Sequence, residues 1–248
     1  MINDIIAKAG TMPGYTSLWY MDLTDGNTAS FNEDMPLVAA SVIKLFIMAE
    51  AFRRFEDGSM SPGEEFVIEP SMKMPSCGAL TYMHDGLRVT AMDLVVLTII
   101  LSDNSATNIL IDRLGIENIN ATIDMMGAEG CRLNRRLFDR EASRKGIQNY
   151  ITAKGVGRFL KRVWDKQLIS EKASEKMLNI MMDQRLNGKI PFFLECDIAH
   201  KTGEDDGTTH DAAIVMSEKP FILVMLSNNT DVPMYERFMQ DTAKALAE

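Results

Sequence analysis

The spacing of apolar positions changes twice along this chain. From residue 2 to 12, Ile5, Ile6 and Ala9 fall on one side of a short amphipathic helix that ends near Gly10. Ser17 to Leu23 reads as a strand, Asp25-Gly26 as a tight turn, and Thr28 to Phe31 as the return strand of a hairpin. After Pro36, an apolar run predicts a helix from about Val38 to Phe55, stopped by Asp57-Gly58. Residues 60–86 are rich in turn formers and read as loop. Thr90 and Asp93 then form a capping box, opening a helix whose run Leu94–Leu101 has Thr98 as its one polar residue; this predicts a buried helix. It breaks at Ser102-Asp103-Asn104. Helices follow over about 105–114 and 117–126, ended by Gly115 and Gly127. Residues 132–148 are basic and irregular, and Thr152 and Ser170 cap helices running to about Trp164 and Gln184. Beyond Asn187-Gly188 the character changes: stretches over 197–202, 212–216 and 221–226, separated by turn residues, read as strands, and a closing helix follows Pro233.

Strands therefore lie at both ends and helices fill the middle. The simplest architecture is α/β of the α+β type. A mixed antiparallel sheet is built from residues 1–37 and 188–248, and an all-helical domain over 38–187 is inserted into it.

Composition narrows the classes. A chain of 248 residues that is 46% hydrophobic and 25% charged reads as a soluble globular protein. The formal charge of −9 disfavours nucleic acid and anionic membrane surfaces as partners. Cys77, Cys131 and Cys196 are three in number and far apart, so reduced thiols buried as small hydrophobes are expected. No signal peptide is visible, and the run 94–101 is too short to span a bilayer. The expectation is a cytoplasmic monomer without membrane anchor or cofactor; a chain stripped of an export signal would read the same way.

Candidate chemistry starts at Lys44, the lone charge in an apolar helical run. Burying an amine is costly unless it is paired or loses its proton. Ser41 lies three positions earlier on the same helical face, near the helix N-terminus, where the pair reads as a nucleophile with its base. The plainer alternative is a packing serine and a snorkelling lysine. Ser102-Asp103-Asn104 reads either as a polar cluster with a task or as a helix terminator followed by a cap. Lys201-Thr202-Gly203 ends a predicted strand, where glycine permits close approach of a ligand backbone.

Ser-x-x-Lys, then Ser-Asp-Asn, then Lys-Thr-Gly, in that order, resembles the motif set of class A β-lactamases and penicillin-binding proteins. The flanks Gly86–Thr90 and Ser102–Leu110 extend the resemblance. It covers nearly the whole chain and implies the sheet-plus-helical-domain fold with the active site between the two parts. It also implies an enzyme that hydrolyses a small acyl substrate, a β-lactam amide, ester or peptide-like compound. In that likeness Ser41 is acylated, Lys44 is its base, and Ser102 passes a proton to the leaving nitrogen. Asn104 contacts the substrate amide, Lys201 holds Ser102, and Thr202 binds a substrate carboxylate. Gly203 completes that motif, and the backbone N–H groups of Ser41 and Glu204 form the oxyanion hole.

Two departures stand out. The family's Glu-x-x-Leu-Asn water site is incomplete: Glu141 is the candidate glutamate, but its Leu-Asn partner is missing at that spacing. Glu204, Asp205 and Asp206 put negative charge where penicillins present a carboxylate, and 208–211 offers no arginine to offset it. Weak β-lactam turnover is the expectation, with an esterase or peptidase, or a sensor that stays acylated, as the alternative. A Ser-His-Asp hydrolase is a weaker reading, since His210-Asp211 is present without a Gly-x-Ser-x-Gly elbow. His84, His200 and His210 are too scattered to mark a zinc site, and no metal is expected.

Overall fold

The computed structural model describes the whole chain, Met1–Glu248. Helix α1 (Ile2–Ala9) is followed by the hairpin of β1 (Tyr15–Asp22) and β2 (Thr28–Phe31), which pairs Met21 with Thr28. Strand β3 (Leu37–Val38) and a 3-10 turn, Ala40–Ile43, precede α2 (Lys44–Asp57). A ribbon of β4 (Glu65–Val67) and β5 (Arg88–Thr90) leads into α3 (Ala91–Ile100), α4 (Asn104–Leu114) and α5 (Ile116–Met125). The short α6 (Arg140–Arg144) and β6 (Tyr150–Ile151) come next, then α7 (Ala153–Trp164) and α8 (Glu171–Met182). Strands β7 (Ile198–Asp205), β8 (Thr208–Val215) and β9 (Phe221–Asn228) and helix α9 (Val232–Ala247) close the chain.

The five long strands form one sheet in the order β2-β1-β9-β8-β7, antiparallel throughout. The two chain ends meet at its centre, where Tyr15 to Asp22 pair with Asn228 back to Phe221. Side chains on β9 alternate between two cores, as a period of two requires. Phe221, Leu223 and Met225 share one core with Ile5, Tyr235 and Phe238 of α1 and α9. Ile222, Val224 and Leu226 share the other with Trp19, Phe46 and Phe159 on the helical side. Helix, sheet and helix therefore stack as three layers. The packing of α7 on β1 is close: a Cβ on Gly157 would lie 2.2 Å from Trp19 Cε3, so this helix crosses the sheet where it carries no side chain.

The capping box at Thr90 and Asp93, the Thr152 and Ser170 caps and the closing helix are all present. Four expectations change. The helix read from Val38 begins only at Lys44, because Leu37-Val38 pairs with Tyr150-Ile151, 112 residues away in sequence for Val38 and Tyr150, and Ala39 N–H donates to Asn149 O. Residues 65–67, read as loop, pair with β5. Lys201-Thr202-Gly203 lies inside β7 rather than at its end, since the pairing with β8 continues to Asp205 and Thr208. Cys77, expected buried, is exposed. No helix is long and apolar enough to cross a membrane.

Candidate active site

Ser41 is positioned by the strain and bracing before it. Ala40 has φ 42°, a left-handed backbone that non-glycine residues seldom adopt and that the surroundings must impose. Those surroundings are Val38, whose N–H donates to Asn228 Oδ1 at 2.7 Å and whose carbonyl accepts from His210 Nε2 at 2.8 Å. The turn then delivers Ser41 to the start of α2, half-buried on the floor of a cavity, with no hydrogen-bond partner for its hydroxyl. Gly203 of β7 faces it. A Cβ there would lie 3.2 Å from Ser41 N and 3.1 Å from His210 Cδ2, so a side chain would intrude where the strand meets the turn.

Lys44 is fully buried, and its ammonium reaches Ser102 O at 2.7 Å, Asn104 Oδ1 at 2.9 Å and Ser102 Oγ at 3.1 Å. The expected bond to Ser41 is absent, because Ser102 has φ 53° and turns both its carbonyl and its hydroxyl onto the amine. Lys201, also fully buried, donates to the same Ser102 Oγ at 3.1 Å and to Thr202 O at 2.9 Å. Two amines thus converge on one hydroxyl. When both amines are protonated, accepting from both fills its lone pairs and leaves its proton free to be given away. Burial holds the Lys44 amine well below the ordinary lysine range, and the neighbouring Lys201 charge adds to this. Burial brings Lys201 down to about 7, with the Asp211 charge opposing.

The buried polar side-chain atoms around the two amines are satisfied. Asp103, nearly inaccessible, caps α4 at Ala106 N–H and accepts from Ala79 and Leu80 N–H, tying the 76–80 segment beside the site. Lys189, which carried no sequence signal, braces β7 against β8 through Gly203 O at 3.1 Å and His210 O at 3.2 Å and pairs with Glu204 at 3.1 Å. His210 is neutral: burial takes it to about 4, and its Nδ1 accepts from Ser227 N–H. His200 is held by Asp211 and Asn187. Neither histidine bonds to Ser41, so the His-Asp alternative has no triad geometry. No group of three histidine, cysteine or carboxylate side chains converges as a metal ligand set.

The loop 134–149 forms the opposite wall. Asn149 closes its ends through Asn134 N–H and the N–H and carbonyl of Arg135, and Asn108 of α4 pins its middle by exchanging bonds with Leu137. Neither asparagine belongs to the three motifs, and their bonds cross 29 residues for Asn108 and 14 or 15 for Asn149. Glu141 sits on the outer side of this loop. Its carboxylate pairs with Lys145 at 2.6 Å, is 78% exposed, and does not line the cavity. The structure therefore brings together Ser41, Lys44, Ser102, Asn104, Lys201, Thr202, Gly203 and Glu204 but leaves Glu141 out, because α6 turns position 141 to solvent. Asp139 lines the cavity instead, with one oxygen spent on capping Ala142 N–H.

A family model described as the beta-lactamase enzyme family matches residues 1–248. Among solved structures, a beta-lactamase from Sphaerobacter thermophilus is similar at 25% identity, with a TM-score of 0.92, covering 99% of this chain and 95% of its own. The structure of PBP-A is similar at 23% identity and a TM-score of 0.89, over 99% and 94% of the two chains. A beta-lactamase from Chitinophaga pinensis is similar at 20% identity and a TM-score of 0.87, over 99% and 96%. No curated protein matches the chain.

Proposed function

Because the chain belongs to the beta-lactamase enzyme family, we propose that it is a serine hydrolase in which Ser41 is acylated by a small acyl substrate. The observation that carries this reading is the convergence of the two buried amines of Lys44 and Lys201 on Ser102 Oγ, beside a Ser41 hydroxyl with no bond of its own. Ser41 Oγ attacks the substrate carbonyl and gives its proton to Lys44, whose buried amine is predisposed to the neutral form that can accept it. The developing oxyanion is held by the N–H groups of Ser41 and Glu204. Ser102 then protonates the leaving atom, and Lys44 or Lys201 returns a proton to Ser102. Asn104 orients the acyl amide, and Thr202 receives the polar end of the leaving half. Water afterwards cleaves the Ser41 ester.

Glu141, ion-paired at the surface, favours slow completion of that last step. Acylation outruns deacylation, so a β-lactam gives a burst close to one equivalent followed by slow turnover, as in a penicillin-binding-like esterase or sensor. A PBP-A variant of the same fold is described as an acyl-enzyme complex with penicillin G. Incubation with a penicillin and with a neutral nitrophenyl ester, followed by mass spectrometry, tests the proposal. The adduct is expected on the peptide holding Ser41 and is lost in Ser41→Ala. Labelling that survives this substitution overturns it, and fast steady turnover of the penicillin overturns slow deacylation.

A further inference from the structure

The cavity above Ser41 has a volume of about 700 Å³ and an uneven charge distribution. Arg135, Arg140 and Arg144 line it from the loop wall. In a chain of formal charge −9 there are thirteen arginines, and nine of them have a carboxylate oxygen within 4 Å. Of the four that do not, three are these. Arg135 spends its donors on Ile147 O, Arg136 O and Gln148 Oε1, leaving its charge without a counter-ion, while Arg140 and Arg144 make no hydrogen bond or ion pair. Three carboxylates also line the cavity, Asp139, Glu204 and Asp205, and two of them are already engaged. Asp139 is half committed to a cap, and on the far wall Glu204 is already paired with Lys189, leaving Asp205.

Direction within the site follows from the mechanism proposed above, on which this inference rests. Ser102 and Lys201, which serve the leaving atom, do not line this cavity, whereas Asn104 does. The leaving half therefore lies toward Ser102 and Lys201, and the acyl half lies in the cavity. We propose that this acyl pocket selects substrates whose acyl half carries a carboxylate, received by the uncompensated guanidinium groups of Arg140 and Arg144 beside Arg135. A planar guanidinium matches a carboxylate in two parallel bonds, and the cavity supplies several. The pocket places its anion-binding charge on the acyl half, while the strand wall next to Thr202 carries the acidic residues Glu204 and Asp205.

Two 4-nitrophenyl esters test this, one of phenylacetic acid and one of 4-carboxyphenylacetic acid, whose rigid ring keeps the extra carboxylate from attacking its own ester. At low ionic strength kcat/KM should favour the carboxylated ester by about tenfold or more, and added salt should shrink the ratio. In the double variant Arg140→Gln, Arg144→Gln, whose side chains hold no bond in the fold, the ratio should fall toward unity. A wild-type ratio at or below unity, or a ratio kept by the double variant, overturns the proposal. If neither ester acylates Ser41, the hydrolase reading fails, and the pocket is judged by binding of unreactive 4-carboxyphenylacetamide in calorimetry. Binding that weakens about tenfold in the double variant supports the arginine pocket; absent or unchanged binding overturns it.

Discussion

At the scale of single residues, the site is a problem of placing two amines where water is absent. Lys44 was legible in the sequence as the one charge in an apolar run, but its partners were not. Ser102 and Asn104 lie 58 and 60 residues further on, and only the meeting of α2 with the α3–α4 break brings them to the amine. Gly203 was legible as a place of close approach, and the structure gives the atoms it approaches. Substitution Gly203→Ala puts a methyl 3.2 Å from Ser41 N and Val42 Cγ2. The strand or the turn must give, which moves the Ser41 and Glu204 N–H groups apart. Stability should fall by about 1–3 kcal/mol, as for a methyl forced into a packed region. Acylation should fall by about a hundredfold or more, the effect of a lost oxyanion donor. Thermal unfolding followed by circular dichroism, beside the acylation rate, separates the two effects. A variant that acylates at the wild-type rate would show that this contact does not set the geometry.

At the scale of elements, the loop 134–149 is where the proposed mechanism places the control of deacylation. Its basic, irregular character was visible in the sequence, and its path was not, because that path is set by Asn108 and Asn149 reaching backbone atoms from outside it or across its base. Two residues apart on that path, Asp139 lines the cavity and Glu141 faces solvent. Glu141 is turned out, so Glu141→Gln should leave the decay of the acyl adduct within about twofold of wild type, the small effect expected of an exposed ion pair with Lys145. Decay followed by mass spectrometry after excess acyl donor is removed checks this, and a tenfold slower decay would restore Glu141 to the hydrolytic water. The start of α2 carries the same lesson. Helical periodicity ran back to Val38, yet the β3–β6 pairing holds the chain extended until Ala39, and this is what puts Ser41 on a tight turn rather than inside a helix.

At the scale of the whole molecule, the buried amines make stability depend on pH. Lys201 titrates at about 7 in the folded protein, held down by burial, and at about 10.4 in an unfolded chain. Between these values the unfolded state binds more protons, so folding is progressively penalised as pH falls through the window, and the full penalty is present below about 7. Lys201→Met removes it. The melting temperature of the variant relative to wild type should therefore climb as the pH is lowered from about 10 to about 7 and then level off, while activity is lost. A difference that stays flat across this range would mean that Lys201 keeps an ordinary lysine pKa. Thr242 Oγ1, on α9, is the one fully buried side-chain polar atom in the molecule without a partner.

The periodicities, caps and turn residues along the chain were enough to determine the long helices and the sheet shared by both termini, while the three motifs were joined by their resemblance to a known family. These are local or repeating signals, written in residues a few positions apart. Tertiary structure alone decided the bonding of Lys44 to Ser102 rather than to Ser41, the brace of Lys189, the outward turn of Glu141 and the gathering of unpaired arginines over the cavity. Each of these depends on contacts between segments distant in the chain or on which way a side chain faces within a loop, and neither leaves a period in the sequence.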